Sequence, residues 1–519
     1  MSHLTRQKIL TYLLVLFAIS SSYLYFKHNS LGYVLTASVI AAFCVYIHDV
    51  FQTHHSILRN YPIVGRLRWI FESERSKIQQ YAIEDNVNGT PINRERRSDI
   101  YQKAKKDPNT VPFGTQLNVY EKGYEFIKHS LYPIDIAKIK EPRILIGSKF
   151  CSKPYCASIY NISAMSFGAL SDAAVKALNG GAKLGNFYHN TGEGGLSPHH
   201  LEYGGDICFQ IGTGYFGCGY DKDGKRYFSD EIFHKNASKP QVKMIEIKLS
   251  QGAKPGHGGI LPAAKNTEEI SKIRNTTPNT DVMSPPYHTA FSNDVEMIQF
   301  IYKLRGLALG KPIGIKLCLG DIEQFDSLVS KMKEMNCYPD FITIDGGEGG
   351  TGAAPLVFSN YVGTPLIDAL VMVNQVLIDY SLRNDIKIIA SGKATTSFDI
   401  VKLIALGADA VNAARAFMMS LGCIQARECN NNTCPVGIAT QDKKLVRGLD
   451  PTEKRVRVYN FHENIIHEVR ELMAAMGIDD VKHINANMVC IRTDDGAVKN
   501  WSSIIKQYGN RFALTSRNS

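Results

Sequence analysis

The chain has 519 residues, of which 44% are hydrophobic and 21% are charged, and its formal net charge is +10. This length can bury a large core, and the balance of apolar and charged residues excludes a disordered polymer. The chain contains no dense run of lysine and arginine and no basic–aromatic stripe. Nucleic acid is therefore not expected as a partner.

Two long apolar segments lie near the N-terminus, at residues 9–26 and 31–51, and both are almost free of charge. A membrane-spanning helix needs about 20 such residues, so the pair predicts a two-helix transmembrane hairpin. Basic residues flank the pair on both sides, namely Arg6, Lys8, Arg59, Arg66 and Arg68. The positive-inside bias predicts a multi-pass protein of the cell inner membrane with its catalytic part in the cytoplasm. Alternatively, the first segment is a cleaved signal peptide.

Residues 53–150 are polar and irregular, with few strong helix signals. Eight short β-rich runs follow, and most of them are separated by helical stretches such as 171–185, 293–310 and 395–409. The runs are YNISAMSFG, FYHNTGEGG, ICFQIGTG, MIEIKLSQGAKPG, PIGIKLCLG, FITIDGGEGGTGA, IKIIASGK and AVNAARA. Eight strand–helix repeats favour a (β/α)8 TIM barrel. An open doubly wound sheet is the competing fold, but no GxGxxG motif follows the first run.

Ligand-binding loops of such barrels follow the C-terminal ends of the strands. The last two runs end in Ser391, Gly392, Lys393, Ala414 and Arg415. Backbone N–H groups at 392–393 and 413–415, beside a helix N-terminus, are predicted to hold a phosphate dianion. Lys393 or Arg415 would add positive charge. The alternative is that these glycines only allow a helix to pack closely on a strand.

Three further features suit a flat ligand. The loop 344–355 has five glycines within seven residues, which lets the backbone approach a ligand closely. Lys316 stands at the strand end within the fifth run and is either a solvated rim residue or a cation that faces a ligand; with a flavin present it could face N1 of the ring. Gln210 carries an amide that suits a pyrimidine edge.

Six motifs occur in a fixed order, namely ISAMSFGALS, NTGEGG, IEIKLSQGAKPGHGG, IRNTTPNTDVMSPPYHTAFS, IDGGEGGTGAAP and CIQARECNNNTCPVGIATQDKKL. Together they closely resemble the FMN-binding synthase domain of glutamate synthases, over residues 85–475. The resemblance implies a barrel that holds FMN and a [3Fe-4S] cluster. It also implies that 2-iminoglutarate, formed from 2-oxoglutarate and ammonia, is reduced to L-glutamate.

The resemblance assigns roles to individual residues. Those expected to border FMN are Ser166, Gln210, Lys316, Gly349, Gly350, Ser391, Gly392, Lys393, Ala414 and Arg415. Glu193, Lys254 and Arg274 are expected to meet the substrate as catalytic residues. A dicarboxylate requires cationic partners, and an arginine can hold one carboxylate through two hydrogen bonds. Glu193 would handle the proton of the imine. The alternative for Lys254 and Arg274 is a solvated helix face.

Cys423, Cys429 and Cys434 lie within twelve positions and are followed by Pro435. The resemblance assigns these cysteines as the ligands of the [3Fe-4S] cluster, which would relay single electrons between a donor and FMN. Zinc would require a fourth ligand, and none lies inside the loop. A disulfide would leave one thiol over and conflicts with a cytoplasmic location. Most of the other cysteines stand singly in apolar surroundings, as core residues do.

The chain also departs from the family. We expect no glutaminase domain before the barrel and no large β-helix after it. No second cysteine-rich ferredoxin motif and no NAD(P) fingerprint occur, so an external donor is expected, either a ferredoxin-like protein or a reductase subunit. Ile260 stands where the family usually has Gln or His. This leaves open a different oxo-acid or imine as the substrate, with a membrane electron carrier, or a non-catalytic electron-transfer subunit.

These features predict four parts. Residues 1–52 form a two-helix transmembrane anchor, and residues 53–150 form a connecting and wrapping segment. Residues 151–420 form the FMN-binding barrel. Residues 421–519 hold the iron–sulfur loop and a C-terminal helical segment.

Overall fold

The computed structural model describes residues 3–26 and 30–506. The chain divides into two compact units, Met1–Gly89 and Thr90–Ser519. The helices of the first unit are α1 (His3–Phe26), α2 (Ser30–Phe51), α3 (Ser56–Asn60) and α4 (Arg66–Ile78), and a π-helical turn, Gln79–Ile83, continues α4.

Helices α1 and α2 coincide with the two apolar segments of the sequence. Within the described residues, only α2 is long and apolar enough to cross a membrane, with a mean hydropathy of 1.9. The apolar stretch found in the described part of α1 is shorter and covers Leu14–Tyr23. The structure thus supports one candidate span where the sequence predicts two. A signal sequence near the N-terminus would have the same properties.

The second unit contains a closed barrel of eight parallel strands. The strands are β1 (Tyr160–Ile162), β2 (Tyr188–Asn190), β3 (Asp206–Ile211), β4 (Val242–Lys248), β5 (Ile313–Leu317), β6 (Phe341–Asp345), β7 (Lys387–Ser391) and β8 (Ala410–Ala413). They pair in chain order, and β8 closes on β1 with Val411 opposite Tyr160. Each of the eight predicted runs overlaps one barrel strand, so the TIM-barrel prediction is confirmed.

Helices surround the barrel and extend beyond it. They are α5 (Arg94–Lys105), α6 (Asp172–Gly185), α7 (Pro198–Leu201), α8 (Asp230–Ala237), α9 (Glu268–Arg274), α10 (Asp294–Leu307), α11 (Ile322–Glu334), α12 (Leu356–Tyr361), α13 (Leu366–Asp379), α14 (Ser397–Ala405), α15 (Arg415–Ser420), α16 (Lys443–Val446) and α17 (Pro451–Met476). The three helical stretches expected from the sequence correspond to α6, α10 and α14. Residues 53–150 are more helical than expected, since α5 is capped by Asn93 and also gains stability by burying Ile100 and Ala104.

Short antiparallel strand pairs lie outside the barrel sheet. They join Glu125–Ile127 to Val489–Arg492, Val489–Arg492 to Val498–Asn500, Arg143–Ile146 to Tyr155–Ser158, Gly219–Lys222 to Lys225–Phe228, and Ile260–Leu261 to Val282–Met283. Apolar side chains fill the barrel near the N-terminal ends of its strands, among them Tyr188, Met244, Phe341 and Ile389. Polar side chains occupy the interior nearer the C-terminal ends. The fold therefore leaves its ligand-binding chemistry at the C-terminal face.

Candidate active site

A buried ion pair lies at the C-terminal face of the barrel and joins the ends of β2 and β4, on either side of β3. Glu193 follows β2 in a short turn, and Lys248 is the last residue of β4. Glu193 Oε1 and Lys248 Nζ are 2.9 Å apart, and their side chains are 17% and 9% exposed. Burial alone would raise the pKa of Glu193, but the charge and hydrogen bond of Lys248, and then the charges of Arg274 and Lys254, lower it below its usual value. Glu193 is therefore an anion among cations.

Lys254 lies in the loop after β4 and is only 2% exposed. Its Nζ donates a hydrogen bond to the carbonyl oxygen of Ala353 at 3.3 Å. Burial, opposed by the charge of Glu193 and aided by that of Lys248, lowers the pKa of Lys254 to about 8. This ammonium group can thus lose its proton within a few pH units of neutrality.

Arg274 ends α9 and is 5% exposed. Its Nη2 donates to the carbonyl oxygen of Phe167 at 2.8 Å, and its guanidinium lies 5.1 Å from the ring centre of Phe216. Its Nε is buried without a hydrogen-bond partner among the described residues. Burial lowers the pKa of Arg274 to about 10, against the attraction of Glu193. Arg274 is a charged donor that the protein itself does not saturate.

Three cations thus surround one carboxylate, and the cluster carries an excess of two positive charges. The structure brings together Glu193, Lys254 and Arg274, which the sequence predicted as one site, and their catalytic role stays a prediction. Lys248 was missed, although its position at a strand end is the same signal that singled out Lys316. Glycines make room for the Glu193 carboxylate: a Cβ on Gly259 would lie 2.6 Å from its Oε1.

A polar network lies in the barrel interior. Glu246 of β4 is 1% exposed and accepts hydrogen bonds from Asn190, Gln210 and Thr343. Burial raises the pKa of Glu246, although Lys316 and the hydrogen bonds oppose the shift. Lys316 Nζ lies 3.3 Å from the Asp345 carboxylate. The Gln210 Nε2 is 2.9 Å from Glu246 Oε1, which leaves the amide oxygen of Gln210 as an acceptor.

The loops after β7 and β8 place two cations close together. Burial lowers the pKa of Lys393, and the charge of Arg415 lowers it further. Within the described residues, neither side chain has a carboxylate oxygen within 4.0 Å; Arg415 donates one long bond, 3.4 Å, to the carbonyl oxygen of Glu348. Ser391 Oγ lies 3.1 Å from Ser163 Oγ, so this hydroxyl group already has a partner.

The remaining residues that were predicted to border FMN lie in loops at the C-terminal face of the barrel. Ser166 packs against the turn that carries Glu193, since a Cβ on Gly194 would lie 2.8 Å from the Cβ of Ser166. Gly350 is next to Arg415: a Cβ built on the glycine would lie 3.4 Å from Arg415 Nη1. The other members of the set lie in these same loops: Gly349 follows β6, Gly392 follows β7, and Ala414 precedes α15.

The cysteine loop lies against the glycine-rich loop. A Cβ on Gly352 would lie 3.0 Å from the carbonyl oxygen of Cys429. The buried ammonium of Lys265 donates to the same carbonyl oxygen at 2.7 Å and to that of Ala439 at 2.9 Å. Burial raises the pKa of Cys423 to about 11, and Cys429 and Cys434 are close enough to add to the shift. Across residues 3–26 and 30–506, no group of three or more His, Cys, Asp or Glu fits a metal site. The cluster stays a prediction.

Ile260 begins a two-residue strand directly after Gly259 and pairs with Met283. Ile260 is half-buried, and Met283 is 74% exposed. An apolar edge therefore adjoins the glycine that contacts Glu193.

Comparisons with known proteins identify the family of this chain. The model of the conserved region in glutamate synthase matches residues 95–479. A glutamate synthase large subunit-like protein, YerD, of Bacillus subtilis is 38% identical over 92% of this chain and 97% of its own length. An archaeal-type glutamate synthase [NADPH] of Thermotoga neapolitana is 35% identical over 64% of this chain, which spans only 61% of that relative. The chain belongs to the glutamate synthase family.

Proposed function

We propose that the chain is an FMN-dependent oxidoreductase that reduces 2-iminoglutarate, formed from 2-oxoglutarate and ammonia, to L-glutamate. The observation that carries the proposal is the buried cluster of Lys248, Lys254 and Arg274 around Glu193. Its excess of two positive charges complements the two carboxylates of the substrate. Because the cluster is nearly sealed from water, a neutral ligand would leave these charges unpaired at a high cost.

Each residue of the cluster has a distinct task in this proposal. Arg274 has an unpartnered buried Nε and would hold one carboxylate of the substrate. Lys248 and Lys254 would hold the second carboxylate and the oxo group. Glu193 would orient the imine by accepting a hydrogen bond from its N–H group, because its lowered pKa keeps the carboxylate ionised.

The residues of the C-terminal face fit FMN. Lys393 and Arg415 lie close together with no carboxylate oxygen within 4.0 Å, and they would hold the phosphate. Gln210 offers a free amide oxygen to a ring N–H, and Lys316 offers a buried positive charge to the ring. When bound, FMN would supply the hydride. The other residues proposed to border it are Ser166, Gly349, Gly350, Ser391, Gly392 and Ala414.

Cys423, Cys429 and Cys434 would bind the [3Fe-4S] cluster, since they stand in one loop that packs on the glycine-rich loop and is held by the buried Lys265 ammonium. The cluster would pass single electrons from an external donor, a ferredoxin-like protein or a reductase subunit. We also propose that α1 and α2 anchor the chain in the cell inner membrane, with the barrel in the cytoplasm and the four-part division given above.

A second candidate function follows from Ile260 and Met283, whose apolar edge adjoins the substrate cluster. A less polar oxo-acid or imine would fit such an edge, with electrons exchanged with a membrane carrier. A non-catalytic electron-transfer subunit is disfavoured, because it would have no use for four buried charged side chains at the barrel mouth.

The test begins with the visible spectrum of the purified protein. Bands of flavin and broad iron–sulfur absorption are expected, and their absence would refute both candidate reactions. The chemically reduced protein is then mixed with 2-oxoglutarate and ammonium, with each omitted in turn as controls. Reoxidation of the flavin only with both supports the proposal, whereas reoxidation by another oxo-acid supports the second candidate.

The affinity for 2-oxoglutarate is expected to fall as the pH rises through about 8. Lys254 has a lowered pKa of about 8, so its positive charge is present below this pH and lost above it. The fall is at most about tenfold per pH unit. Calorimetric titration of the oxidised protein without ammonia measures the Kd. The Lys254→Arg variant is the control, since arginine keeps its charge, and a wild-type Kd that is constant from pH 7 to 9 would contradict the assignment.

Replacement of Gly259 by alanine is expected to impair activity more than stability. The added methyl group would lie 2.6 Å from Glu193 Oε1 and displace this carboxylate from Lys248. A misplacement of this size lowers kcat/KM by about 100-fold, while the free energy of unfolding changes by about 1 kcal/mol, since the mobile end of a side chain gives way. Steady-state kinetics and urea unfolding measure the two effects. The control is Gly306→Ala in α10, where a Cβ would meet no heavy atom within 4 Å.

A further inference from the structure

Helix α4 exposes an apolar stripe. No residue of Arg66–Ile78 is buried. Leu67, Ile70, Phe71 and Ile78 are 50%, 56%, 63% and 39% exposed. Their spacing of i, i+3, i+4 and i+11 places all four on one face of the helix. Soluble proteins rarely leave contiguous apolar side chains exposed to water. An exposed apolar stripe of this kind therefore marks an interaction surface.

Basic side chains border this stripe. By helical position, Arg68 and Arg75 lie along one edge and Arg66 and Lys77 along the other. The only acidic residue within the stripe is Glu74, whose carboxylate is 2.7 Å from Lys77 Nζ. An apolar stripe between two cationic edges is the pattern of helices that lie on membranes. The apolar side chains enter the headgroup–acyl boundary, and the basic ones reach the phosphates.

An ion pair joins the beginning of α4 to the end of α2. Arg66 Nε and Nη2 lie 3.0 and 2.5 Å from the two carboxylate oxygens of Asp49, which is fully buried. The backbone N–H of Ile63 donates to the same carboxylate at 3.0 Å. Asp49 lies in the last turn of α2, the candidate span Ser30–Phe51. The last turn of a span lies at the level of the headgroups. The ion pair therefore holds the first turn of α4 at that level.

We propose that α4 lies in the plane of the membrane on anionic phospholipids, with Leu67, Ile70, Phe71 and Ile78 in the headgroup–acyl boundary. The occupant of the stripe is the bilayer that receives α2. Positive charge on both edges makes anionic headgroups the preferred partner. The inference extends the membrane anchor proposed above and is independent of the proposed reaction, because it uses no residue of the barrel.

Fluorescence quenching in vesicles tests the orientation of α4. The chain has two tryptophans, Trp69 and Trp501. Trp69 lies off the stripe, with its ring 5.0 Å from that of His55. The Trp501→Phe variant therefore reports on the far side of α4, and adding Trp69→Phe with Phe71→Trp moves the single tryptophan into the stripe. Full-length protein is reconstituted in phosphatidylcholine–phosphatidylglycerol vesicles that contain lipids brominated high in the acyl chain.

Quenching is expected to be severalfold stronger for the variant with Phe71→Trp than for the one that retains Trp69. Equally weak quenching of both would overturn the proposal. Adding Arg68→Glu and Arg75→Glu should weaken the quenching, whereas Lys331→Glu with Lys333→Glu on α11 should leave it unchanged. Equal effects of the two charge reversals would refute the role of the basic edges.

Other occupants of the stripe give different results. If a second copy covers it, bromolipids do not quench, and protection from iodide in detergent rises with protein concentration. This outcome overturns the proposal. Failure of the full-length protein to float with vesicles overturns the membrane anchor together with it. The proposed reaction is tested separately, since reoxidation of the reduced flavin is measured in detergent without vesicles.

Discussion

Replacement of Arg274 by alanine is expected to lower kcat/KM for 2-oxoglutarate by roughly 30- to 5000-fold, which corresponds to a loss of about 2–5 kcal/mol for a truncated buried charge pair. The reason is that Arg274 is 5% exposed and has a buried Nε with no partner among the described residues, so the substrate carboxylate would accept a hydrogen bond that the protein leaves unmade. Arg274→Lys should recover only part of the loss, since an ammonium cannot donate two parallel hydrogen bonds. Steady-state kinetics and the Kd of 2-oxoglutarate measure both effects.

Arg305 provides a matched control at the opposite end of the barrel. It is also buried, at 7% exposure, and it pairs with Asp340 at 3.2 Å just before β6 begins. Arg305→Ala should therefore lower the free energy of unfolding strongly while the remaining folded protein binds 2-oxoglutarate normally. An unchanged Kd in the Arg274→Ala variant would contradict the proposed substrate site.

Replacement of Cys429 by serine is expected to abolish the iron and acid-labile sulfide of the purified protein while FMN remains bound. A serine hydroxyl is a poor ligand for an iron–sulfur cluster, and three thiols are needed. The chemically reduced flavin should still be reoxidised by substrate, but turnover with a protein electron donor should stop. Iron and sulfide analysis, the flavin spectrum and both activities separate these effects.

The matched control for the cysteine loop is Cys156→Ser, since Cys156 is free and exposed. This variant should keep its full iron content. If Cys429→Ser loses FMN together with iron, the loop acts mainly as a structural support. Such a result is physically reasonable, because the loop contacts Gly352 and is held by the buried Lys265.

The barrel was predictable from the sequence because each strand is short, apolar and ended by small or polar residues. These local signals are sufficient to predict all eight barrel strands. The number of membrane spans stays a prediction, since α2 alone among the described helices is long and apolar enough to cross a membrane, whereas the sequence predicts two spans. Helix α5 was not predicted, because its stability depends on burial of Ile100 and Ala104 against distant parts of the chain.

The candidate site was only partly predictable, since its electrostatics depend on distances that the sequence does not contain. Lys248 stands in a strand of otherwise apolar appearance, and its significance follows from its contact with Glu193, which is 55 residues earlier. Likewise, the sequence assigned Gln210 to a ligand without revealing that its amide nitrogen is engaged by Glu246. Motifs identify which loops meet at the barrel face, and folding determines which charges pair there.

Closure of the barrel has a consequence for biosynthesis. The pairing of Val411 with Tyr160 joins strands that are 251 residues apart. At about 5–20 residues per second, a ribosome takes roughly 13–50 s to add that length of chain. Throughout this interval the edge of β1 has no partner from β8 and can pair with other strands. We therefore expect the nascent chain to require chaperone protection between the emergence of β1 and that of β8.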